Sequence, residues 1–484
     1  MRAAWSVSAV REAEEALMAR LPEGTLMRRA AAGLARRCAL TLPRVYGATV
    51  LLLVGSGDNG GDALYAGARL ARRGARVHAR LLNPAKAHRG GLAAFRAAGG
   101  RVASRVPDRV DLVVDGIVGI GGQGGLRPDA AATLEALPDD ATVLAVDVPS
   151  GIGVDCGTVT GPAVRADITV TFGCLKPGLV VGPAAAYAGQ VELVDIGLRP
   201  YLTGDPVVRV PDLADVAGWW CRPRPEDDKY TRGAVGVAAG SPPFTGAAVL
   251  STGGALAGPA GFLRYAGAAA DQVRQRWPEA VITERVADAG RVQAWVVGPG
   301  LGTDEQAVQE LRSVLAAPVP VCLDADALTL IAPDPPGWLA GRRAPTVLTP
   351  HDREFARLGG ERPNHAGRVA AALRLASWLS VVVLLKGDRT IVATPEGLAY
   401  ANPTGSPALA TAGTGDVLSG LIGSLLAAGI PAERAAVAGA FAHGLAGRRA
   451  AASGPVTAQH VMTQLRYVVR DITRHATRPS PLPS

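Results

Sequence analysis

Ten residues, Thr411-Ala412-Gly413-Thr414-Gly415-Asp416-Val417-Leu418-Ser419-Gly420, place one carboxylate at the mouth of a glycine-rich helix start. The first turn of a helix offers N–H groups without intrahelical partners and the positive end of the helix dipole, so it attracts phosphate. Asp416 in that turn can take a proton from a hydroxyl attacking the phosphate, as phosphoryl transfer requires. The plain alternative is a glycine-capped loop packed before a core helix. Upstream lie Asp228-Lys229-Tyr230-Thr231-Arg232-Gly233, Gly240-Ser241, Phe244-Thr245-Gly246-Ala247-Ala248, Gly298-Pro299-Gly300-Leu301-Gly302, Asp324-Ala325-Asp326, Thr349-Pro350-His351 and Lys386-Gly387-Asp388-Arg389-Thr390. Lys386 can neutralise a nucleotide phosphate as a point charge, and Thr390 can add a hydroxyl donor. His351 alone reads first as a structural or capping histidine, and Asp324 and Asp326 as helix caps or sheet braces.

The first half carries a second set of polar groups. Gly55-Ser56-Gly57-Asp58-Asn59-Gly60 follows an apolar strand and precedes a helix expected to begin near Asp62, so it matches G-x-G-x-x-G in a strand-to-helix context. The acid that would hold a ribose after the next strand is missing, since Arg80-Leu81-Leu82-Asn83 stands there; an ordinary NAD-dependent dehydrogenase is disfavoured. Two more strand ends are polar: Asp115 leading into Gly119-Ile120-Gly121-Gly122-Gln123-Gly124-Gly125, and Asp147-Val148-Pro149-Ser150-Gly151. Their oxygens could coordinate a hard or monovalent cation, and a buried Asp could act as acid or base. Each residue alone also reads as a helix cap or turn.

Positioning these groups requires parallel sheets. Short β-branched runs alternate with Ala-, Leu- and Arg-rich helical stretches. The pattern predicts strands over 48–54, 76–82, 111–114, 142–146 and 168–172, then 234–239, 294–297, 319–323, 346–348 and 381–385. Five prolines between Pro200 and Pro225 mark a connector with little helical periodicity, which predicts domains of 1–215 and 216–472 and a disordered tail over 473–484.

A chain of 484 residues exceeds one ordinary core, and 48% hydrophobic content argues for a globular α/β protein. Only Lys86, Lys176, Lys229 and Lys386 are lysines among 50 basic residues; the arginines are interleaved with acids. The net charge of +8 therefore makes no nucleic-acid footprint. Five dispersed cysteines give neither a disulfide framework nor a zinc site, which suits the cytoplasm, and apolar runs are too short to span a bilayer.

The first-half motifs, with 166–173 and Lys176-Pro177-Gly178-Leu179, resemble the NAD(P)H-hydrate epimerase family. The resemblance implies a Rossmann-like three-layer sandwich. It implies potassium ligands at Asn59, Asp115 and Ser150, and substrate contacts from Asp58, Asn59, Gly60, Gly61, Asp62, Gly119, Ile120, Gly121, Gly122, Gln123, Gly124, Gly125 and Asp147. Asp62 and Asp147 are the candidate proton-transfer groups. Asp58 stands where that family more often has Asn.

From Lys229 to Gly420 the motif order resembles the ADP/ATP-dependent NAD(P)H-hydrate dehydratase family, which implies a ribokinase-like α/β domain. Ala247, Gly300, Gly302, His351 and Asp416 would contact the hydrated nucleotide. Lys386, Gly387, Asp388, Arg389, Thr390 and Gly415 would hold ADP or ATP, with Mg2+ as expected companion. The implied protein is a bifunctional repair enzyme acting on hydrated NADH and NADPH (NADHX and NADPHX), expected as a homo-oligomer. The rival is a ribokinase-like small-molecule kinase fused to a noncatalytic nucleotide-binding domain.

Overall fold

The computed structural model describes residues 1–122, 124–361 and 367–475. Gln123 and most of the expected tail lie outside the described residues. The chain divides into two compact units, Arg2–Val208 and a second from Arg209 onward.

The first unit is built on β1 (Thr49–Val54), β2 (Arg76–Leu81), β3 (Arg101–Val102), β4 (Leu112–Gly116), β5 (Thr142–Val146), β6 (Ile168–Phe172) and β7 (Gln190–Val194). These strands run parallel in the order β3-β2-β1-β4-β5-β6-β7. Successive side chains of a strand point to opposite faces. Val50, Leu52 and Val54 accordingly enter one core with helices α1 (Val7–Met18), α2 (Thr25–Thr41) and α3 (Asp58–Arg72), while Leu51 and Leu53 enter the core on the other face. Burial on both faces explains the unbroken apolar run of β1. Strand order reverses between β1 and β4, where an open α/β sheet gathers its ligand groups at the carboxyl edge. The register pairs Leu53 with Asp115 and Asp115 with Ala145, bringing all three polar strand ends to that edge.

The second unit contains β8 (Ala234–Ala238), β9 (Phe262–Ala266), β10 (Val281–Thr283), β11 (Ala294–Val297), β12 (Val321–Leu323), β13 (Thr346–Leu348), β14 (Val382–Leu385), β15 (Ile391–Ala393) and β16 (Ala399–Ala401). The order is β16-β15-β14-β13-β12-β11-β8-β9-β10, antiparallel only at the β14/β15 and β15/β16 pairs. Helices α4 (Thr245–Leu256), α5 (Thr414–Ala427), α6 (Ala432–Ala451) and α7 (Ala458–His475) share one continuous core with it. Two glycines let α4 and α5 meet backbone to backbone: a Cβ on Gly254 would lie 2.2 Å from the Val417 carbonyl oxygen, and one on Gly420 2.0 Å from that of Ser251.

Three expectations change. The helix expected near Asp62 begins at Asp58, so 58–62 form its first turn rather than a loop before it. The connector is not irregular: it holds strand Val208–Val210 and helix Leu213–Trp219, the latter started by a capping box between Asp212 and Asp215 that proline counting does not reveal. The last helix continues through Thr473 to His475. Strands β3, β7, β9, β10, β15 and β16 are additions that the apolar-run criterion misses, being short or amphipathic.

Candidate functional site

At the carboxyl edge of the first unit lies a cavity of about 1500 Å³. Arg11, Glu14, Asp58, Asn59, Asp62, Gly119, Ile120, Gly121, Gly122, Gly124, Gly125 and Asp147 all line it. Glycine is required where the loops cross: a Cβ on Gly55 would lie 1.8 Å from the Ile117 carbonyl oxygen, and one on Gly60 2.5 Å from that of Gly55. Of the residues assigned to this substrate, Gly60 and Gly61 belong to the first turn of α3 beneath the cavity, and Gln123 lies outside the described residues.

Asp147 follows β5 with a positive φ of 65°, uncommon for a residue with a Cβ. The Val148 N–H donates to the Val146 carbonyl across it at 2.8 Å, closing a tight three-residue turn. The turn directs the carboxyl toward the loop after β6. There Oδ1 accepts from Lys176 Nζ at 2.5 Å, Thr171 Oγ1 at 3.0 Å and the Phe172 N–H at 3.2 Å. Lys176 is 1% exposed and also donates to the Phe172 carbonyl at 2.9 Å.

Asp62 is buried, and its Oδ1 has no hydrogen-bond partner. Burial, then the charges of Asp147, Asp58 and Glu14, hold its carboxyl well above the usual range. Glu14 on α1 is raised too, by burial first, although Lys176 opposes the shift. The extra charge of Asp58 thus feeds a carboxyl cluster with one buried ammonium beside it.

Asp115 is fully buried. Its oxygens accept from Ser150 Oγ at 2.7 Å, the Ser150 N–H at 2.9 Å and the Ile117 N–H at 3.2 Å. Burial nevertheless lifts it to about 6 against those bonds. Asn59 Nδ2 donates to the Val146 carbonyl, which aims Oδ1 at the open position over Gly119; a Cβ there would lie 2.4 Å away. A buried carboxylate with no cationic partner among the described residues, an amide oxygen and a hydroxyl form a hard-oxygen set that fits a monovalent cation. Among the described residues no group of three or more His, Cys, Asp or Glu side chains forms a metal cage.

In the second unit Asp416 occupies the first turn of α5, after Gly413 at φ 82°. The cap makes no side-chain hydrogen bond, leaving the first-turn N–H groups to a ligand. Burial, then the charges of Asp324 and Asp326, push Asp416 up to about 7 in spite of Lys386. Lys386 Nζ lies 2.8 Å from Asp324 Oδ1 and 3.8 Å from Glu354 Oε2. Burial works against its charge, yet Asp324 and Glu354 raise it overall. A Cβ on Gly415 would lie 3.5 Å from Lys386 Nζ and 3.7 Å from Asp324 Oδ2, in contact with this ion pair, which the glycine leaves bare at the helix start.

The capping reading of His351 holds: its Nδ1 accepts from the N–H groups of Arg353 at 3.1 Å and Glu354 at 3.2 Å. The half-exposed ring also places Nε2 3.5 Å from Glu354 Oε1, which joins it to the Lys386 network. Asp326 is a brace, accepting from the Gly302 N–H at 2.9 Å. Asp324 is more than a brace, because it holds Lys386. Gly300, at φ 59°, packs against Ala247 and Phe244, each of whose Cβ atoms would be 2.8 Å from an added Cβ. Thr390 departs from expectation: its hydroxyl donates to the Gly387 carbonyl at 3.0 Å. Arg389 Nη1 donates to the Pro403 carbonyl at 3.1 Å, and Arg368 donates to the Lys386 carbonyl at 2.7 Å. Asp388 pairs with Arg389 at 3.6 Å.

Lys176, Glu14, Glu354 and Arg368 were absent from the expected site. The scarcity of lysine and the Lys176-Pro177-Gly178-Leu179 motif pointed toward Lys176, but neither gave it a role.

Two family models match the chain, "YjeF-related protein N-terminus" over residues 23–178 and "NAD(P)H-hydrate dehydratase" over 235–466. The bifunctional NAD(P)H-hydrate repair enzyme Nnr of Mycobacterium leprae is 50% identical over 476 residues, covering 96% of this chain and 99% of its own. That of Corynebacterium glutamicum is 38% identical over 78% of each chain. A solved ribokinase-like superfamily protein from Enterococcus faecalis superposes with a TM-score of 0.50 at 27% identity, covering 56% of this chain and 99% of that one. The chain belongs to the bifunctional NAD(P)H-hydrate repair enzyme family.

Proposed function

We propose that the first unit interconverts the R and S epimers of hydrated NADH or NADPH and that the second dehydrates the S epimer with ADP or ATP. The observation that carries the second activity is Asp416, held near neutrality at an uncapped helix start beside Lys386. A base with proton affinity near the working pH is efficient. Asp416 takes the proton of the ring hydroxyl as its oxygen bonds to the terminal phosphorus and the bond to the nucleotide leaving group breaks. The helix start and Lys386 stabilise the transferring charge. Phosphate then leaves with the C–O electron pair, and loss of a proton from the adjacent carbon restores the dihydronicotinamide. His351, Ala247, Gly300 and Gly302 border the hydrated nucleotide, while Lys386, Gly387, Asp388, Arg389, Thr390 and Gly415 border the adenine nucleotide.

Mg2+ would arrive with the nucleotide phosphates, as suits an ion that rarely needs an all-protein cage. Potassium would rest on Asn59, Asp115 and Ser150, where its charge offsets the buried carboxylate and firms the substrate loop. A homo-oligomer remains the expected assembly.

The test is direct. The full chain, given an R/S mixture of hydrated NADH plus ADP or ATP, should convert both epimers to material absorbing as NADH. Recovery that stops once the S epimer is consumed removes the first activity; no nucleotide-dependent recovery removes the second.

A further inference from the structure

The first unit has two buried carboxyls in its cavity and one buried lysine that does not line it. Lys176 Nζ, Thr171 Oγ1 and the Phe172 N–H all converge on the same oxygen of Asp147, Oδ1. Among the described residues Oδ2 accepts nothing, and Asp147 lines the cavity. Three donors on one oxygen, one of them an ammonium, complement the carboxylate form. Asp62 has the opposite surroundings: a buried, unpartnered oxygen under the charges of Asp147, Asp58 and Glu14.

We propose that Lys176 is a positioning residue that splits the two carboxyls into a base and an acid, clamping Asp147 by Oδ1 so that Oδ2 acts as the base while Asp62 acts as the neutral proton donor. This rests on the epimerase reading above and goes beyond it by giving each carboxyl one role. The hydroxyl of the hydrated ring is on the carbon bonded to the ring nitrogen. Asp62 protonates that hydroxyl, the C–O bond breaks, water leaves, and the nitrogen lone pair forms a C=N bond. Water adds to the other face of the planar cation, the C=N electrons return to nitrogen, and Asp147 takes the proton of the attacking water. One proton is given and one received, and exchange with solvent restores both groups.

The charged and titratable groups facing the pair are Glu14 and Arg11 from α1, Asp58 from α3, and Cys174 and Lys176 from the loop after β6. His88, Glu23, Arg28, Arg127 and Asp129 complete the charged lining of the cavity. Of these cations only Lys176 touches Asp147.

The experiment follows epimer exchange of R-enriched hydrated NADH by the full-length protein from pH 5 to 9. Lys176→Met should lower the rate at pH 7 about 10²-fold and move the acid limb upward by about one unit or more, so that activity partly returns at high pH. Lys176→Arg should recover most of the rate. Lys176→Met/Asp147→Asn, which leaves no uncompensated charge, should fold and match Asp147→Asn within about threefold, as expected of residues that act as one unit. A Lys176→Met enzyme equally impaired at every pH, with its limb unmoved, overturns the proposal, as does a double variant more active than Asp147→Asn. A parent enzyme that exchanges no epimers overturns the epimerase reading instead.

Discussion

Each unit contains an Asp–Lys pair built on a buried carboxylate, but the two pairs are wired differently. In the first, Lys176 grips Asp147, itself a candidate proton-transfer group, at 2.5 Å. In the second, Lys386 grips Asp324 at 2.8 Å, and Asp416, the proposed base, stands beside the pair without belonging to it. A carboxylate that owns the ammonium is stabilised in its charged form. One that neighbours an already partnered ammonium also feels the partner's negative charge, and Asp416 rises to about 7. The same two residue types therefore clamp one carboxylate by direct contact in the first unit and leave Asp416 unclamped in the second. Phosphoryl transfer suits the second wiring, because the lysine must also answer to an incoming phosphate.

The strongest way to break this comparison is to remove the base. Asp416→Asn should lower nucleotide-dependent recovery of NADH by about 10²- to 10⁴-fold while epimer exchange continues. A carboxyl raised from its ordinary value lends the fold stability that is fully present below about pH 4 and is lost as pH rises through about 7. The variant should therefore be the more stable protein at pH 8, with little difference at pH 4. Near-full dehydration by Asp416→Asn would remove this residue from the mechanism.

A subtler break leaves the base and changes its neighbour. Asp324→Asn removes the largest charge that raises Asp416, so the rising limb of the dehydration rate should move to lower pH by about one unit. Lys386 would also be freed of its nearest partner and become more available to phosphate. An unmoved limb would mean that burial alone sets the proton affinity of Asp416.

In the first unit the corresponding test concerns the cation. Asp115→Asn removes the only carboxylate of the Asn59, Asp115 and Ser150 set, and should raise the potassium concentration for half-maximal epimer exchange by about 10- to 100-fold. Dehydration of supplied S epimer should keep its rate. Exchange indifferent to potassium in the parent would return these three residues to a purely structural role, in which Ser150 braces Asp115.

How far sequence reached follows the distance over which each feature is encoded. Asp416, Gly413 and Gly415 were legible because a helix start is a local object, and the ten expected strands because most are short apolar or β-branched runs between helical stretches. Lys176 was not, since it meets Asp147 only through the β5–β6 pairing and a positive-φ turn that nothing in Asp147-Val148-Pro149 announces. Glu14 reaches the cavity from α1, far upstream in the chain. Glu354 was visible merely as a helical acid, and became part of the site because the His351 cap folds it back toward Lys386. Thr390 shows the converse: a hydroxyl beside a predicted nucleotide site donates to its own loop instead.

The smallest expected effect comes from His443 on α6, buried in the second unit with Nε2 unpartnered. Burial drives its imidazole down to about 4, and Lys386 pushes the same way against a hydrogen bond with the Thr414 backbone. The folded protein holds His443 neutral, whereas the unfolded chain takes up a proton near the ordinary value of 6.5. Its contribution to stability is therefore present above about 6.5 and is lost as pH falls toward 4. Between pH 7 and pH 5 the loss is on the order of 1–2 kcal/mol. His443→Gln should flatten that part of the stability curve, measured from denaturant midpoints at the two pH values, and leave the pH limb set by Asp416 in place. Movement of that limb would show that the histidine belongs to the same charge network as Lys386, and that the second unit's wiring extends one helix further than the Asp324–Lys386 pair. An unchanged fall in stability would instead show that the acid sensitivity does not come from this histidine.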